Sequence, residues 1–283
     1  MIMNAMKQVF KLRRSVPNEL CHYCKADSIK YLVNRNADIW CTKYDALNDN
    51  QECIFGINLF IEYLIDNKII PIMSANLIRS KIFERDIFNK PVRSAITPFF
   101  FSLSEKKDDK YFWDNYVGQD GGFCVVFDGI ALEDVSIQAN RFLNKMNVGN
   151  MGTLYLLPCF YKGLDDEDIE KIFQGLLIDF RYELEVLRHP VSVEKAIDAI
   201  RPIDSGLRII SEIIKSEKWS NEKEWRLILT RERYISDLWP NNRSRTYISL
   251  MVGELKELFK DVLIYPKEDQ NKVTNKLMLE INN

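Results

Sequence analysis

Glu222, Glu224 and Arg226 fall at alternate positions in the run KSEKWSNEKEWRLIL, Lys215–Leu229. On an extended strand this spacing puts all three on one face, with the carboxylates roughly 6.6 Å apart along the chain. Trp225, Leu227 and Leu229 then point the other way, into a core. A Glu-x-Glu-x-Arg stripe supports two readings. One is a solvated sheet face or an internal ion pair. The other is a carboxylate held where positive charge develops in a transition state. The tripeptide alone favours the first.

The chain has only two histidines. His22 precedes Tyr23 in a short strand-like run, and His189 precedes Pro190 at the end of a helical pattern, where it complements the helix dipole. Trp113 and Tyr116 lie three apart and share a helical face, Trp113 read as core and Tyr116 as a pocket wall. Ser102, near the end of a buried strand, can offer a hydroxyl to a ligand, although a bond to backbone is its commoner fate. Asn48, Asp49 and Glu52 read as turn and capping residues. Cys21-x-x-Cys24 lacks the second cysteine pair that a zinc site needs, and on a strand the two point to opposite faces. No metal site is expected. The sequence also holds no Walker motif, nucleophile elbow or His-Glu-x-x-His helix.

The elements that must position these residues are short. Strands are expected at Leu20–Tyr23, Asp38–Thr42, Ile96–Leu103, Gly122–Asp128, Glu222–Thr230, Thr246–Val252 and Val262–Tyr265. Aromatic and β-branched runs carry the buried ones. Pro98 cannot donate to a ladder, so its strand starts there or runs along an edge. Helices are expected at Asp27–Asn34, Cys53–Asp66, Ser74–Phe88, Asp165–Leu187, Asp204–Lys215, Glu254–Phe259 and Glu268–Ile281. Strands and helices are partly segregated, which predicts α+β rather than a doubly wound parallel sheet.

Composition narrows the classes further. The 283 residues, 46% hydrophobic and 28% charged, can bury a sizeable core. No repeat, linker or composition shift marks a boundary, so a single domain over 1–283 is expected. The net charge of -2 gives nucleic acid no support, the one basic run being Lys11-Leu12-Arg13-Arg14. No apolar stretch approaches the roughly 20 residues of a membrane span, and no secretory signal is evident. A cytoplasmic protein with six reduced cysteines is the expectation.

Four segments in order resemble the domain of unknown function family 2971. They are LCHYCKADSIKYLV at Leu20–Val33, YDALNDNQEC at Tyr44–Cys53, FFSLSEKKDDKYFWDNYVGQDGGFCVVFD at Phe100–Asp128, and the Lys215–Leu229 run. The resemblance reaches from about Leu20 to about Pro266. Cys24 stands where the pattern has Thr or Ser, and Asn50 where it has Pro. The resemblance implies a fold distantly similar to ADP-ribosyltransferases, often met in bacterial and phage-defence settings. It implies NAD as the substrate, with cleavage of the nicotinamide–ribose bond. His22 would then orient the ribose, and Tyr23 or Tyr116 would pack on the base with Ser102 nearby. Glu224 would stabilise the oxocarbenium-like transition state and Glu222 would position an acceptor. The alternative is a ligand-binding or interaction module of the same fold without catalysis.

Overall fold

The computed structural model describes residues 4–26, 38–43, 51–84, 96–117, 121–145, 153–232, 247–251 and 258–265. Helix α1 (Asn4–Leu12) leads into β1 (Glu19–Lys25) and β2 (Asp38–Lys43). Helices α2 (Gln51–Asp66) and α3 (Ile72–Arg79) follow, the latter running on as a π-turn, Ser80–Glu84. Then come β3 (Ile96–Ser104), a short helical turn Lys110–Phe112 that continues as a second π-turn, Trp113–Val117, and β4 (Gly122–Asp128). Next are α4 (Gly129–Lys145), β5 (Thr153–Pro158) and β6 (Phe160–Lys162). Helices α5 (Asp166–Asp179), α6 (Arg181–Arg188) and α7 (Val193–Ser211) form a block, followed by β7 (Ile214–Ser216) and a 3-10 turn, Glu217–Glu222. The last strands are β8 (Glu224–Glu232), β9 (Tyr247–Met251) and β10 (Phe259–Tyr265). Helices lie beside a mostly antiparallel sheet system, so the fold is α+β.

Strand β3 organises the sheet. Along its whole length it pairs with β8, from Ile96↔Glu232 to Ser104↔Glu224, which occupies one edge. Its other edge is therefore shared: β2 takes Phe99 and Phe100, and β1 takes Ser104. From this fork one branch runs β1-β4-β10 and the other β2-β9, while β5 lies outside β8. Pro98 lies near the start of β3, beyond its last pair with β2, so its missing N–H breaks no bond of that ladder.

Both faces of the forked sheet are covered. On one, Leu20 and Cys24 of β1, Phe101 and Leu103 of β3, and Trp225 and Leu227 of β8 share a core with Val125 and Phe127. On the other, Phe100 and Ile228 pack against the helical block of α1, α2, α3, α5, α6 and α7. Cys21, Tyr23, Cys124 and Val126 project to this second side of their branch and meet Phe112, Trp113 and Val117. Cys21 and Cys24 thus face opposite ways, as strand alternation requires.

Several boundaries differ from those the sequence suggests. The Asp165–Leu187 pattern is two helices broken at Phe180, and Pro190 lies beyond the second. The helix expected at Asp204–Lys215 begins much earlier, at Val193, continues through Pro202, and stops at Ser211. Lys215 is instead in β7. Strand β8 begins at Glu224, because Glu222 closes the 3-10 turn and Lys223 adopts a left-handed φ of 42°. Phe259 starts β10 rather than ending a helix. Asp27–Asn34, Asn48–Asp49 and Glu268–Ile281 lie outside the described residues. The basic run at the N-terminus is used internally: Arg13 pairs with Glu133, and Arg14 with Glu105 while lying over the Trp225 ring. No described helix is long and apolar enough to cross a membrane.

Candidate functional site

Glu222 and Glu224 converge, though not by sharing a strand. The left-handed Lys223 between them turns the chain, so that a carboxylate from the 3-10 turn and one from β8 reach the same ammonium. Lys215 Nζ donates to Glu222 Oε2 at 2.5 Å and to Glu224 Oε2 at 2.6 Å. Arg226 grips Glu224 with two bonds, Nε to Oε1 at 2.8 Å and Nη2 to Oε2 at 3.0 Å. Its Nη1 donates to the carbonyl of Glu212. Lys215, Glu222, Glu224 and Arg226 are all buried. Full pairing and bidentate geometry are what make such burial tolerable.

The surrounding elements explain why these side chains meet. The parallel pair β6–β7 sets Tyr161 opposite Lys215. The Tyr161 hydroxyl accepts from the Glu224 backbone N–H at 2.8 Å. Cys159, just before β6, donates its thiol to Glu224 Oε2 at 3.6 Å. Ser104, opposite Glu224 across the ladder, donates to the Glu222 carbonyl at 2.7 Å. Burial alone would push the Glu224 carboxyl up, but the charges and hydrogen bonds of Arg226 and Lys215 outweigh it and hold the group well below the usual carboxylate range. Burial, followed by the neighbouring Glu224 charge, pushes the Cys159 thiol well up.

Tyr116 forms the outer end of the network. Its hydroxyl donates to Glu222 Oε1, and the residue is 38% exposed. Burial first, and then the Glu222 charge, push the phenol upward, so it remains a neutral donor. Tyr116 belongs to the π-turn Trp113–Val117, a rare geometry that often marks functional positions. Its ring stacks on Phe112 at 5.4 Å, and Phe112 stacks on Tyr23 at 4.6 Å. Tyr111 lies 6.5 Å from Tyr116, between centroids. Trp113 is core, and its indole N–H donates to Asp108, another residue with positive φ.

The six residues singled out by sequence do not all meet. Tyr23, Ser102, Glu224, Glu222 and Tyr116 belong to the charge-bearing side, with Ser102 opposite Arg226 in the ladder. Tyr23 is buried: its hydroxyl donates to the Lys106 carbonyl at 2.9 Å and accepts from the Asp109 N–H at 3.0 Å. His22 projects from the opposite face, the face of Trp225, as expected for the neighbour of Tyr23 on a strand. Its ring stacks on Phe101 at 4.2 Å, and Nδ1 lies 2.8 Å from the Ser102 carbonyl. A carbonyl can only accept, so Nδ1 carries the proton. Desolvation lowers the His22 pKa against the opposing effect of that bond. The imidazole therefore lies against β3 on the face away from Glu224.

Sequence reasoning does not reach Lys215 or Tyr161 as members of this site. The sequence signal for Lys215 is a single lysine after the apolar Ile213–Ile214, which a helical reading of that stretch conceals. Tyr161 lies in a three-residue strand with no periodic signature.

Residues 112–227 match the sequence model of a family described as Protein of unknown function (DUF2971). Over this stretch, less than half of its length, the chain is similar to that family. The DUF2971 segment contains Trp113, Tyr116, Tyr161, Lys215, Glu222, Glu224 and Arg226, which is the charge network together with its exposed end. His22, Tyr23 and Ser102 lie before it. No curated protein and no solved structure matches the chain.

Proposed function

We propose that the chain is a ligand-binding α+β module that receives NAD or a related nucleotide at the Tyr116–Glu222 end of the buried network. Tyr116 carries this reading. It offers a half-exposed ring to a planar base, and its hydroxyl marks a carboxylate oxygen able to accept from a ligand's hydroxyl or N–H. Glu224 serves as the anchor. Both its oxygens already accept from cations, so it has little field left for a developing oxocarbenium. The experiment is calorimetric titration of the purified protein with NAD, ADP-ribose and AMP. Saturable binding to at least one supports the module, and no heat or thermal shift with any of them removes it.

Cleavage of the nicotinamide–ribose bond is a second reading, favoured by one observation. Strands β1 and β8 both pair with β3, so the early and late motifs are brought within two strands of each other. In this version Glu222, the carboxylate nearest the exposed Tyr116, replaces Glu224 as the group facing substrate. Nicotinamide release by wild type, abolished in Glu222→Gln at matched folding, would favour it. Binding without release would leave the module reading alone.

A further inference from the structure

We infer that Tyr116 is a built-in occupant of the ligand seat: its hydroxyl holds the Glu222 Oε1 position that a ligand's hydroxyl or N–H takes, so the resting protein is latched shut. The inference rests on the reading of this end as a binding site. It follows from comparing the donors to the two carboxylates. Glu224 Oε1 accepts from Arg226, Glu224 Oε2 from Arg226, Lys215 and Cys159, and Glu222 Oε2 from Lys215. All three of those donor residues are buried. Glu222 Oε1 accepts from Tyr116, which reaches solvent. Breaking any of the other bonds leaves both partners in the core, whereas Tyr116 reaches water itself, and the buried Glu222 oxygen it leaves then needs a donor from whatever enters.

The backbone around Tyr116 suits such a motion. A π-turn is less regular than an α-helix and can shift its hydrogen-bond register, and here it spans only five residues, Trp113–Val117. Trp113 and Val117 are buried and anchor its ends, while Asp114, Asn115 and Tyr116 between them are exposed. Among the described residues, the Asp114 side chain pairs with Lys110 alone, at the surface. A register shift therefore moves Tyr116 while the core contacts of Trp113 stay in place. Once the phenol leaves, Glu222 Oε1 presents an acceptor beside the Tyr111 ring, with Lys215 fixed behind it. A group that donates a hydrogen bond and carries a flat ring fits that seat.

Tyr116→Phe tests the latch, because it keeps the ring and its stacking on Phe112 but deletes the hydroxyl. Two readouts decide. Without ligand, hydrogen exchange of the backbone amides of Trp113–Val117 should accelerate about tenfold, the size expected for losing one bond to a charged group. With NAD as the probe, affinity should rise about tenfold, since the seat no longer has to be vacated. Unchanged exchange overturns the latch whatever the ligand does. Faster exchange with NAD affinity unchanged or weaker overturns Tyr116 as the competitor for the seat. If neither protein binds NAD, the nucleotide reading fails, and the exchange rates alone still decide whether the latch exists.

Discussion

Glu224→Gln should be among the most damaging single changes in this chain, and its cost can be worked from the geometry. The substitution keeps the shape of the side chain but removes a negative charge to which both Lys215 and Arg226 are bonded. Arg226, buried and bonded to both Glu224 oxygens, is left facing an amide whose nitrogen cannot accept. Breaking one side of a buried pair costs about 3–5 kcal/mol. Against a typical domain stability of about 5–15 kcal/mol, that is a large fraction. Urea unfolding at pH 7 should show a lower midpoint with an unchanged slope. The pH dependence provides a second check. Because the folded Glu224 carboxyl titrates below its unfolded value of about 4.3, its stabilisation is fully present above that value. It is lost as pH falls towards the folded pKa, so the gap between wild type and mutant should narrow in acid. A loss under about 1 kcal/mol at pH 7, the range of exposed ion pairs, would refute the buried-network reasoning. So would a gap that widened on acidification.

Three further changes probe the scaffold. Trp225→Ala should cost about 3–5 kcal/mol, because it empties a fully buried site and removes the indole donor to Glu105, and a thermal melt would show it directly. Asp179→Ala should destabilise by about 0.5–2 kcal/mol, since its carboxylate accepts from the backbone N–H groups of Asn4 and Ala5 and so caps α1, with faster proteolysis near the N-terminus as the readout. Asn140→Ala should speed exchange of the Leu154 amide, because the Asn140 side chain bonds both the N–H and the carbonyl of Leu154 and completes the outer edge of β5.

Much of the sheet can be read from local chemistry. Aromatic and β-branched runs such as ITPFFFSL and GFCVVFD are buried strands because no other short element hides them so well, and Trp225 and Leu227 enter the core by alternation alone. Local rules fail where a distant contact outweighs them. Pro202 argues against a helix through it, yet α7 continues because one flank packs into the helical block through Ala199, Ile200 and Ile203. Helix α1 depends on a cap from Asp179, far along the chain, and no local signal announces that. The Glu-x-Glu stripe had the right members but the wrong geometry, because the positive φ of Lys223 cannot be read from a lysine. His22 and Tyr23 cannot serve one site together, because neighbours on a strand face opposite ways. Alternation already separated them. The charge balance of the network was illegible for another reason: Lys215 reaches it from a separate two-stranded sheet.

Hydrogen exchange with and without saturating NAD tests the central claim most directly. If the Tyr116–Glu222 end is the binding site, the changes should concentrate in residues 113–117 and 217–224, with the β1–β3 fork around His22 unaffected. Changes centred on His22 and Phe101, or no change at any segment, would contradict it.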